Sequence, residues 1–444
     1  ITIRNLLTHT SGLREFLNLY ILTGADTRTL DRDDVLRAVE RQTGLQNEPG
    51  GEFNYNNTAF SLAAQIVEKT SGEDFDDYMR ENVFAPLGMN DSYVRMTPDR
   101  VVPRASEGYT AAAGWAARGD LGGAVGAGGI YASIEDLKKW GMNLLDPTVG
   151  TPEMVEEMMT SFVLNDGEET GYGLGLFIDE QRGLLRVHHG GSDVSHRSML
   201  VVYPEIDAGV TVQSNASTFN SNAAFELAEA FFGDAMEPEE EAEAAGDFDP
   251  AEFDPADFAP FAGTYSLDPA PQVRARFWEE EGRYYTQLTD QPAVEMRPSG
   301  PRSFDLIPVE ARVVFDEGDP APGFTLFQNG QEVPATRVEG EGEGPWTPTT
   351  EELEAFTGRF YADEIETFYT IRFDEDEVAE GDETPRLLLN QLRLGDTPMR
   401  PTDEDTFATQ AGITLEFVRD RAGVVIGFYS SNTRTRDIRF ERVR

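Results

Sequence analysis

The sequence predicts an α/β domain followed by two small all-β modules. Residues 1–233 mix helical patterns with strand patterns, which indicates helices packed against a sheet. After an acidic stretch the helical periodicity mostly disappears, and a Phe-x-Gly-x-aromatic pattern occurs twice, 95 residues apart. We therefore divide the chain into an α/β domain at 1–233, an acidic linker at 234–257 and β-barrel modules at 258–342 and 350–444.

Three polar residues mark helix starts in the first domain. Asp31 precedes a helical apolar pattern, and Asn57 opens another. Ser133, with Asp136 three positions later, resembles a capping box. Residues 223–232 predict a further helix with an apolar face.

Three apolar segments predict strands in the same domain. They lie at 184–188, 198–203 and 209–213. A turn signal at 204–208 separates the second segment from the third, which predicts an antiparallel hairpin.

The all-β tail is a tandem repeat. Phe261, Gly263, Tyr265 and Asp268 correspond to Phe356, Gly358, Phe360 and Asp363. The first copy contains an Asn329-Gly330 hairpin signal, and a Gly/Glu/Pro stretch at 339–348 divides the copies. Two copies are too few for a solenoid, so small antiparallel barrels are favoured.

The charge balance excludes some classes of partner. With 36 basic and 81 acidic residues the net charge is −45, which argues against binding to duplex nucleic acid. No apolar segment is long enough to span a bilayer. Only three of the 36 basic residues are lysine, and this acidic, lysine-poor composition resembles that of halophilic proteins. An ordinary acidic secreted protein is the alternative.

The chain lacks the usual serine and cysteine nucleophile motifs. It has no cysteine and no Gly-x-Ser-x-Gly elbow. A Ser-x-x-Lys pair is also absent, because Ile66, Glu135 and Asp136 stand three positions before the three lysines. The nucleophilic serine and the lysine of such a pair are therefore not in this chain.

Two short motifs have the character of companions to a nucleophile. Tyr55-Asn56-Asn57 stands at a loop-to-helix junction. His189 is followed by Gly190, Gly191 and Ser192 after a predicted strand, where glycines let a substrate lie against the backbone and an amide can face an oxyanion. Taken alone, each motif is weak evidence, because a Tyr-x-Asn triplet is common and a His-Gly-Gly sequence is more often simply a turn.

Five motifs in order resemble the serine β-lactamase-related family, which includes class C β-lactamases, DD-peptidases, D-aminopeptidases and esterases. Residues 1–13 are similar to its "iTirhLLtHtSGL" signature and residues 49–60 to its "PG..f.YsN.gf" segment. Residues 84–89 and 127–137 match "PLGM" and "aGGlysTa.Dl", and 189–192 falls where the family has Lys-Thr-Gly or His-x-Gly.

The resemblance implies a fold and a set of roles. The fold is a β-lactamase/transpeptidase-like antiparallel sheet flanked by helices, incomplete at its N-terminus, with two appended lipocalin-like barrels. Tyr55 corresponds to the tyrosine that moves the proton between nucleophile and leaving group. Asn57 corresponds to a substrate-binding asparagine, His189 replaces the lysine of Lys-Thr-Gly, and the Ser192 amide would be an oxyanion donor.

The resemblance also implies that Ser-x-x-Lys lies upstream of residue 1, so truncation is the favoured explanation for its absence. We expect this chain to be inactive, because Tyr55 is a poor base without a neighbouring cation and His189 is only partly charged near pH 7. The intact protein is expected to be a serine hydrolase that forms an acyl-enzyme with an amide or ester. A D-aminopeptidase or DD-peptidase type of activity leads, and an esterase, a β-lactamase or a non-catalytic peptide-binding protein is the alternative.

No cofactor or metal is expected. His188, His189 and His196 lie close together in sequence with Asp193 between them, but a strand and turn would scatter these side chains over different faces. The expected partner is a small-molecule or peptide substrate, and an oligomer remains open. Extracytoplasmic localisation is favoured by the family alone.

Overall fold

The computed structural model of the protein describes residues 1–111, 114–122, 125–238, 248, 250, 253–268, 270–280, 282–288, 293–307, 311–328, 331–338, 348–374, 386–409, 412–432 and 434–443. These residues form two compact units. One unit joins Ile1–Glu237 to Trp346–Arg444, and the other is Pro238–Pro345. We call Ile1–Glu237 the N-terminal module.

Short and medium-length helices make up much of the N-terminal module. They are α1 (Ile3–Leu7), α2 (Phe16–Leu22), α3 (Arg32–Glu40), α4 (Asn57–Ser71), α5 (Phe75–Met79), α6 (Ala85–Leu87), α7 (Ile134–Leu145), α8 (Pro152–Met158) and α9 (Ala223–Phe232). A π-helical turn, Arg80–Phe84, joins α5 to α6.

The helix signals in the sequence are confirmed to within one residue. Asp31 caps α3 in a reciprocal capping box with Asp34. The cap of α4 is Asn56 rather than Asn57, and its side chain accepts a hydrogen bond from the Ala59 amide. Ser133 caps α7 as predicted.

The strands of the N-terminal module form two short pairs and one four-stranded sheet. They are β1 (Tyr93–Val94), β2 (Gly108–Thr110), β3 (Ala116–Arg118), β4 (Ile130–Tyr131), β5 (Phe177–Gln181), β6 (Leu184–Ser192), β7 (Arg197–Tyr203) and β8 (Ala208–Ser214). Strands β5 to β8 are antiparallel neighbours in chain order, which confirms the predicted hairpin between β7 and β8.

One strand is longer than predicted. The sequence predicts a strand that ends at His188 and a turn over the four residues 189–192, but β6 continues through Ser192. Each of these residues pairs with β7, from His189 opposite Leu200 to Ser192 opposite Arg197. The glycines therefore lie within a paired strand, and the ladder of hydrogen bonds outweighs their weak strand preference.

Helices cover both faces of the four-stranded sheet. On one face Val201 and Tyr203 pack with Ala224 of α9. On the other face Leu200 packs with Leu144 of α7. Successive residues of a strand point to opposite faces, so β7 is apolar on both sides and is buried between two layers.

Eight strands between Gly263 and Arg337 form a closed barrel, which we call the first barrel. Its strands are β9 (Gly263–Leu267), β10 (Ala270–Glu280), β11 (Arg283–Leu288), β12 (Val294–Pro298), β13 (Ser303–Ile307), β14 (Ala311–Phe315), β15 (Gly323–Gln328) and β16 (Gln331–Arg337). Its buried cluster includes Phe277, Phe304, Phe315 and Phe324.

Eight strands between Gly358 and Arg442 form another closed barrel, the second barrel, preceded by α10 (Thr350–Glu354). Its strands are β17 (Gly358–Ala362), β18 (Thr367–Phe373), β19 (Leu387–Gln391), β20 (Gly395–Asp403), β21 (Thr406–Thr409), β22 (Thr414–Arg419), β23 (Val425–Ser431) and β24 (Ile438–Arg442). The prediction of two all-β barrels is confirmed.

The second barrel shares its core with helices α2 and α3. Phe16, Leu19 and Val35 belong to the same buried cluster as Phe360 and Phe428. Burial of apolar area stabilises by roughly 25 cal/mol per Å². This continuous core explains why the two parts form one compact unit.

A buried ion pair adds to the contact between these parts. Arg14 and Glu364 lie 3.2 Å apart, and their side chains are only 7% and 9% exposed. Burial raises the pKa of Glu364, and Arg14 and Arg41 oppose that shift. The carboxylate therefore depends on its arginines to remain ionised.

Both barrels close with the same arginine contact. In the first barrel Arg337 donates to the carbonyl oxygens of Pro260 and Ala262, and in the second Arg442 donates to those of Ala355 and Thr357. We call each of these sets of hydrogen bonds the arginine latch. The tandem repeat thus extends to the closing strands β16 and β24.

Some predicted features lie outside the described residues. They are the Asn329-Gly330 turn, most of the 339–348 divider and much of the 234–257 linker. The flanking residues Gln328 and Gln331 do pair across β15 and β16. In the part of the chain that the structure describes, every helix is too short or too polar to cross a membrane.

Candidate active site

The start of helix α4 fixes Tyr55. Next to it, Asn56 accepts a hydrogen bond from the Ala59 amide and donates one to the Leu13 carbonyl oxygen. The backbone amide of Asn56 donates to His9 Nδ1 at 3.0 Å. Tyr55 is half-buried immediately before this rigid cap, so its ring has a defined direction.

The structure brings Tyr55 and His189 together. The Tyr55 hydroxyl lies 3.4 Å from His189 Nε2. His189 Nδ1 lies 2.7 Å from the Gly190 carbonyl oxygen, which can only accept, so Nδ1 carries the proton. The lone pair of Nε2 therefore faces the Tyr55 hydroxyl, and the phenol donates to the imidazole.

Burial favours the uncharged form of both partners. It raises the pKa of Tyr55, a shift that Arg434 opposes and Glu15 reinforces. It also lowers the pKa of His189, although the hydrogen bond to the Gly190 carbonyl works against that change. The His189 side chain therefore carries less positive charge near pH 7 than a solvent-exposed histidine would, because it is desolvated.

The remaining predicted residues lie around this pair in different ways. Gly191 and Ser192 are exposed at the end of β6, and Gly190 is half-buried. Asn57 lies in the first turn of α4. Burial raises the pKa of the nearby Glu15 carboxyl group, and a hydrogen bond with the Asn57 side chain partly opposes this shift.

Sequence reasoning missed the cation of the site. Arg434, on the connection between β23 and β24, places its guanidinium 4.8 Å from the centre of the Tyr55 ring. Guanidinium groups bind favourably over aromatic faces. The sequence contains no local signal for this contact, because Arg434 belongs to the second barrel and the tyrosine motif to the N-terminal module.

The loop that carries Arg434 is held against the N-terminal module by hydrogen bonds. The Arg434 carbonyl oxygen accepts from Gln46, and Arg436 donates to both carboxylate oxygens of Glu52 at 2.7 and 2.9 Å. Thr435 and Glu15 exchange two further bonds. This loop is therefore an anchored part of the site.

His9 lies behind the pair and has a structural environment. Its Nδ1 accepts from the Asn56 amide, so its Nε2 donates to the Tyr172 hydroxyl at 3.1 Å. Burial, aided by His189 and Arg434, lowers the pKa of His9 to about 3. The ring is therefore neutral over the physiological pH range.

The neighbouring histidines have separate partners. His188 lies 3.3 Å from the Asp179 carboxylate, whereas His196 lies 3.0 Å from that of Asp120. Together with the Tyr55 contact of His189, these pairs direct the three rings to three different places. The scatter predicted from the strand and turn is what the structure has.

The comparisons with known proteins agree with this architecture. The Beta-lactamase family profile matches residues 1–232, which is more than half of the chain. The chain belongs to the β-lactamase family. The predicted fold, an antiparallel sheet flanked by helices and followed by two barrels, is confirmed for this family member.

Its relatives include penicillin-binding proteins and D-aminopeptidases. Penicillin-binding protein 4* of Bacillus subtilis is 27% identical over 76% of this chain and 78% of its own length. A D-aminopeptidase of Brucella anthropi is 27% identical over 43% of this chain, which spans 37% of that enzyme.

Among solved structures, the chain matches the octameric penicillin-binding protein homologue from Pyrococcus abyssi. It is 21% identical and matches 76% of this chain and 78% of its own, with a TM-score of 0.49.

Proposed function

We propose that this β-lactamase-family protein, once joined to a segment that supplies Ser-x-x-Lys, is a serine hydrolase that forms an acyl-enzyme with an amide or ester. The observation that supports the proposal is the hydrogen bond between Tyr55 and His189 beside the exposed end of β6. Peptidase or amidase action on peptides of D-amino acids is the leading activity, in keeping with the D-aminopeptidases among the relatives.

In this mechanism Tyr55 moves the proton. A neutral His189 with its Nε2 lone pair towards the phenol can accept the Tyr55 proton as the phenolate forms. The phenolate then removes the proton of the attacking alcohol and later returns a proton to the leaving group. Ser192, at the end of β6, supplies an amide for the oxyanion, and Asn57 binds the substrate.

Arg434 takes the electrostatic part in this mechanism. A phenolate in a half-buried site needs a nearby positive charge, and burial disfavours the charged form that His189 takes on when it accepts the Tyr55 proton. The guanidinium over the Tyr55 ring lowers the free energy of the phenolate more than that of the phenol. The second barrel thus contributes a positioning residue to a site whose other members belong to the N-terminal module.

The 444-residue chain contains no Ser-x-x-Lys. We therefore expect that it forms no acyl-enzyme at the Tyr55–His189 pair. A fluorescent penicillin should leave this site unlabelled, whereas the same chain extended by its preceding reading frame should be labelled if that frame encodes Ser-x-x-Lys.

The decisive experiment uses the extended protein with a D-alanine anilide as substrate. Tyr55→Phe should lower kcat/KM by about 10²–10⁴-fold, the usual contribution of a positioned general base. Arg434→Gln should lower kcat and shift its alkaline pH limb upward, because the phenolate loses its cation. Arg359→Gln, which removes a guanidinium from the Phe368 ring in the same barrel, is the matched control and should change neither value appreciably. Wild-type turnover by Tyr55→Phe would refute the role of the tyrosine.

A non-catalytic peptide-binding protein is the second candidate, because the chain has the cleft residues without the nucleophile motif. A preceding frame without Ser-x-x-Lys would favour this candidate. Esterase and β-lactamase activities belong to the first candidate and are separated from it by the relative kcat/KM values for an aryl ester, a penicillin and the D-alanine anilide.

A further inference from the structure

A second arrangement of side chains in the N-terminal module has the geometry of an activated nucleophile. In the part of the chain that the structure describes, His196 alone among the four histidines joins an aliphatic hydroxyl to a carboxylate. Ser106 Oγ lies 2.9 Å from its Nε2, and Asp120 Oδ1 lies 3.0 Å from its Nδ1.

The direction of these hydrogen bonds follows from the chemistry of the groups. A carboxylate can only accept, so His196 Nδ1 donates to Asp120. The Nε2 lone pair of the neutral ring then faces the Ser106 hydroxyl, which donates to it. This is the order nucleophile, base and orienting acid that activates a serine.

Asp120 is held in the ionised form that this role requires. Burial works against its ionisation, but hydrogen bonds from His196 and Tyr131 outweigh burial and lower the pKa of Asp120. The bond to Asp120 in turn raises the pKa of His196. The Asp120 side chain is 15% exposed and that of His196 28%, so the pair is partly shielded from water.

Several contacts fix the three segments that meet at this place. Asp193 accepts a hydrogen bond from the Leu121 amide at 2.9 Å, and Ser195 donates to the Arg118 carbonyl oxygen. A Cβ atom at Gly108 would lie 2.8 Å from His196 Cε1 and would clash with Ser195. The absence of a side chain at Gly108 is therefore what lets the imidazole approach Ser106.

We propose that Ser106, His196 and Asp120 form a nucleophilic site, distinct from Tyr55 and His189, that accepts the acyl group of an aryl ester. Ser106 is exposed, so the substrate needs no deep pocket. A phenolate is a good leaving group, which suits a site on the surface. The net charge of −45 favours neutral or cationic esters over anionic ones.

The reaction balances with the residues present. Ser106 Oγ attacks the carbonyl carbon while its proton passes to His196 Nε2, and the aryl C–O bond breaks as the proton moves to the departing phenolate. The products are acyl-Ser106 and a phenol. Attack by water, with the proton again passing through His196, releases the carboxylic acid and restores Ser106. The expectation of inactivity then applies to the Tyr55–His189 pair only.

A fluorophosphonate probe tests the site in the 444-residue chain. Ser106 should carry the label in peptide mapping, and Ser106→Ala and His196→Gln should lower the labelling rate by at least about 10²-fold. Ser71→Ala, which removes another exposed serine, should react like wild type. Absence of label, or label on a different serine, would overturn the proposal.

The lack of cysteine allows a second test that does not depend on ester chemistry. In Ser106→Cys the new thiol is unique, and His196 should make it react with iodoacetamide at least tenfold faster than the thiol of Ser71→Cys. Adding His196→Gln should abolish this advantage. Equal rates for the two cysteine variants would show that His196 does not activate position 106.

Discussion

The two barrels have the same strand order and the same arginine latch, yet they differ in what fills their cores. The buried cluster of the first barrel comes from its own segment, residues 253–335. The cluster of the second barrel includes Phe16, Leu22 and Val35 from helices of the N-terminal module. The first barrel thus has a core of its own, whereas the second barrel shares its core with the N-terminal module and contacts the candidate active site.

The difference has a functional side. The second barrel carries Arg434 to Tyr55 and Glu364 to Arg14, and both contacts lie within one compact unit. The arginine latch is the same in both barrels, whereas a connection between strands of the second barrel makes contacts outside that barrel. Loops between strands tolerate such changes because they lie on the surface.

The largest expected effect is on the barrels as isolated fragments. Residues 253–338 should unfold cooperatively on heating, because their core is complete. Residues 348–443 should not, because the apolar surface that meets α2 and α3 becomes exposed. Circular dichroism melting curves of the two fragments provide the measurement. Equally cooperative unfolding of both fragments would show that the second barrel does not need α2 and α3 to complete its core.

The buried ion pair should give the next largest effect. Arg14→Ala leaves the Glu364 carboxylate buried without its partner, which should lower the free energy of unfolding by about 3–5 kcal/mol. Arg312→Ala is the matched variant in the first barrel, where the pair with Asp305 is largely exposed, and it should cost less than about 1 kcal/mol. Urea denaturation of both variants tests the contrast, which fails if the losses are similar.

Acid should distinguish the units through His9, since neither barrel contains a histidine. The pKa of His9 is lowered to about 3, so between pH 6.5 and 3 the unfolded chain binds a proton that the folded chain does not. Stability from this residue therefore falls as the pH falls. Between pH 7 and pH 4 the loss should be about 3 kcal/mol.

The variant His9→Asn isolates this contribution. Asparagine tolerates the left-handed backbone at this position, where φ is 56°, and does not titrate. The stability difference between wild type and the variant should shrink as the pH is lowered from 7 to 4. The melting of the isolated 253–338 fragment should show no such histidine-linked change. A difference independent of pH would contradict the assignment.

The arginine latch should give the smallest effect and the most similar one. Arg337→Gln removes hydrogen bonds to three backbone carbonyl oxygens, because Arg337 also donates to Ala321, and Arg442→Gln removes hydrogen bonds to two. Each variant should lower the free energy of unfolding by about 1–3 kcal/mol. Denaturant titration of the two variants checks this. A large disparity would show that the latch has acquired a different role in one barrel.

Local features of the sequence were enough to predict many elements. Caps such as Asp31 and Ser133 and the apolar periods of α9 and β7 depend on neighbouring residues, and the structure has them where expected. The extension of β6 through Ser192 was missed because pairing with β7 decides it. Strand pairing depends on residues that are distant in sequence, so it cannot be predicted from two adjacent glycines.

The site shows the same division. The tyrosine and histidine motifs are short and local, so they could be singled out from the sequence. Arg434 over Tyr55 and Ser106 beside His196 arise from folding between distant segments, and neither residue stands in a recognisable motif. The lowered pKa of His189 could not be predicted from the sequence, because its desolvation is a property of the folded protein.

Gln46 holds the carbonyl of a residue 388 positions later, and that residue is Arg434. During translation, the ribosome must therefore add 388 residues after Gln46 before Arg434 can pack over the Tyr55 ring. A nascent polypeptide or a prematurely terminated product would have Tyr55 without its guanidinium. The contact between Arg434 and Tyr55 therefore forms only late in translation.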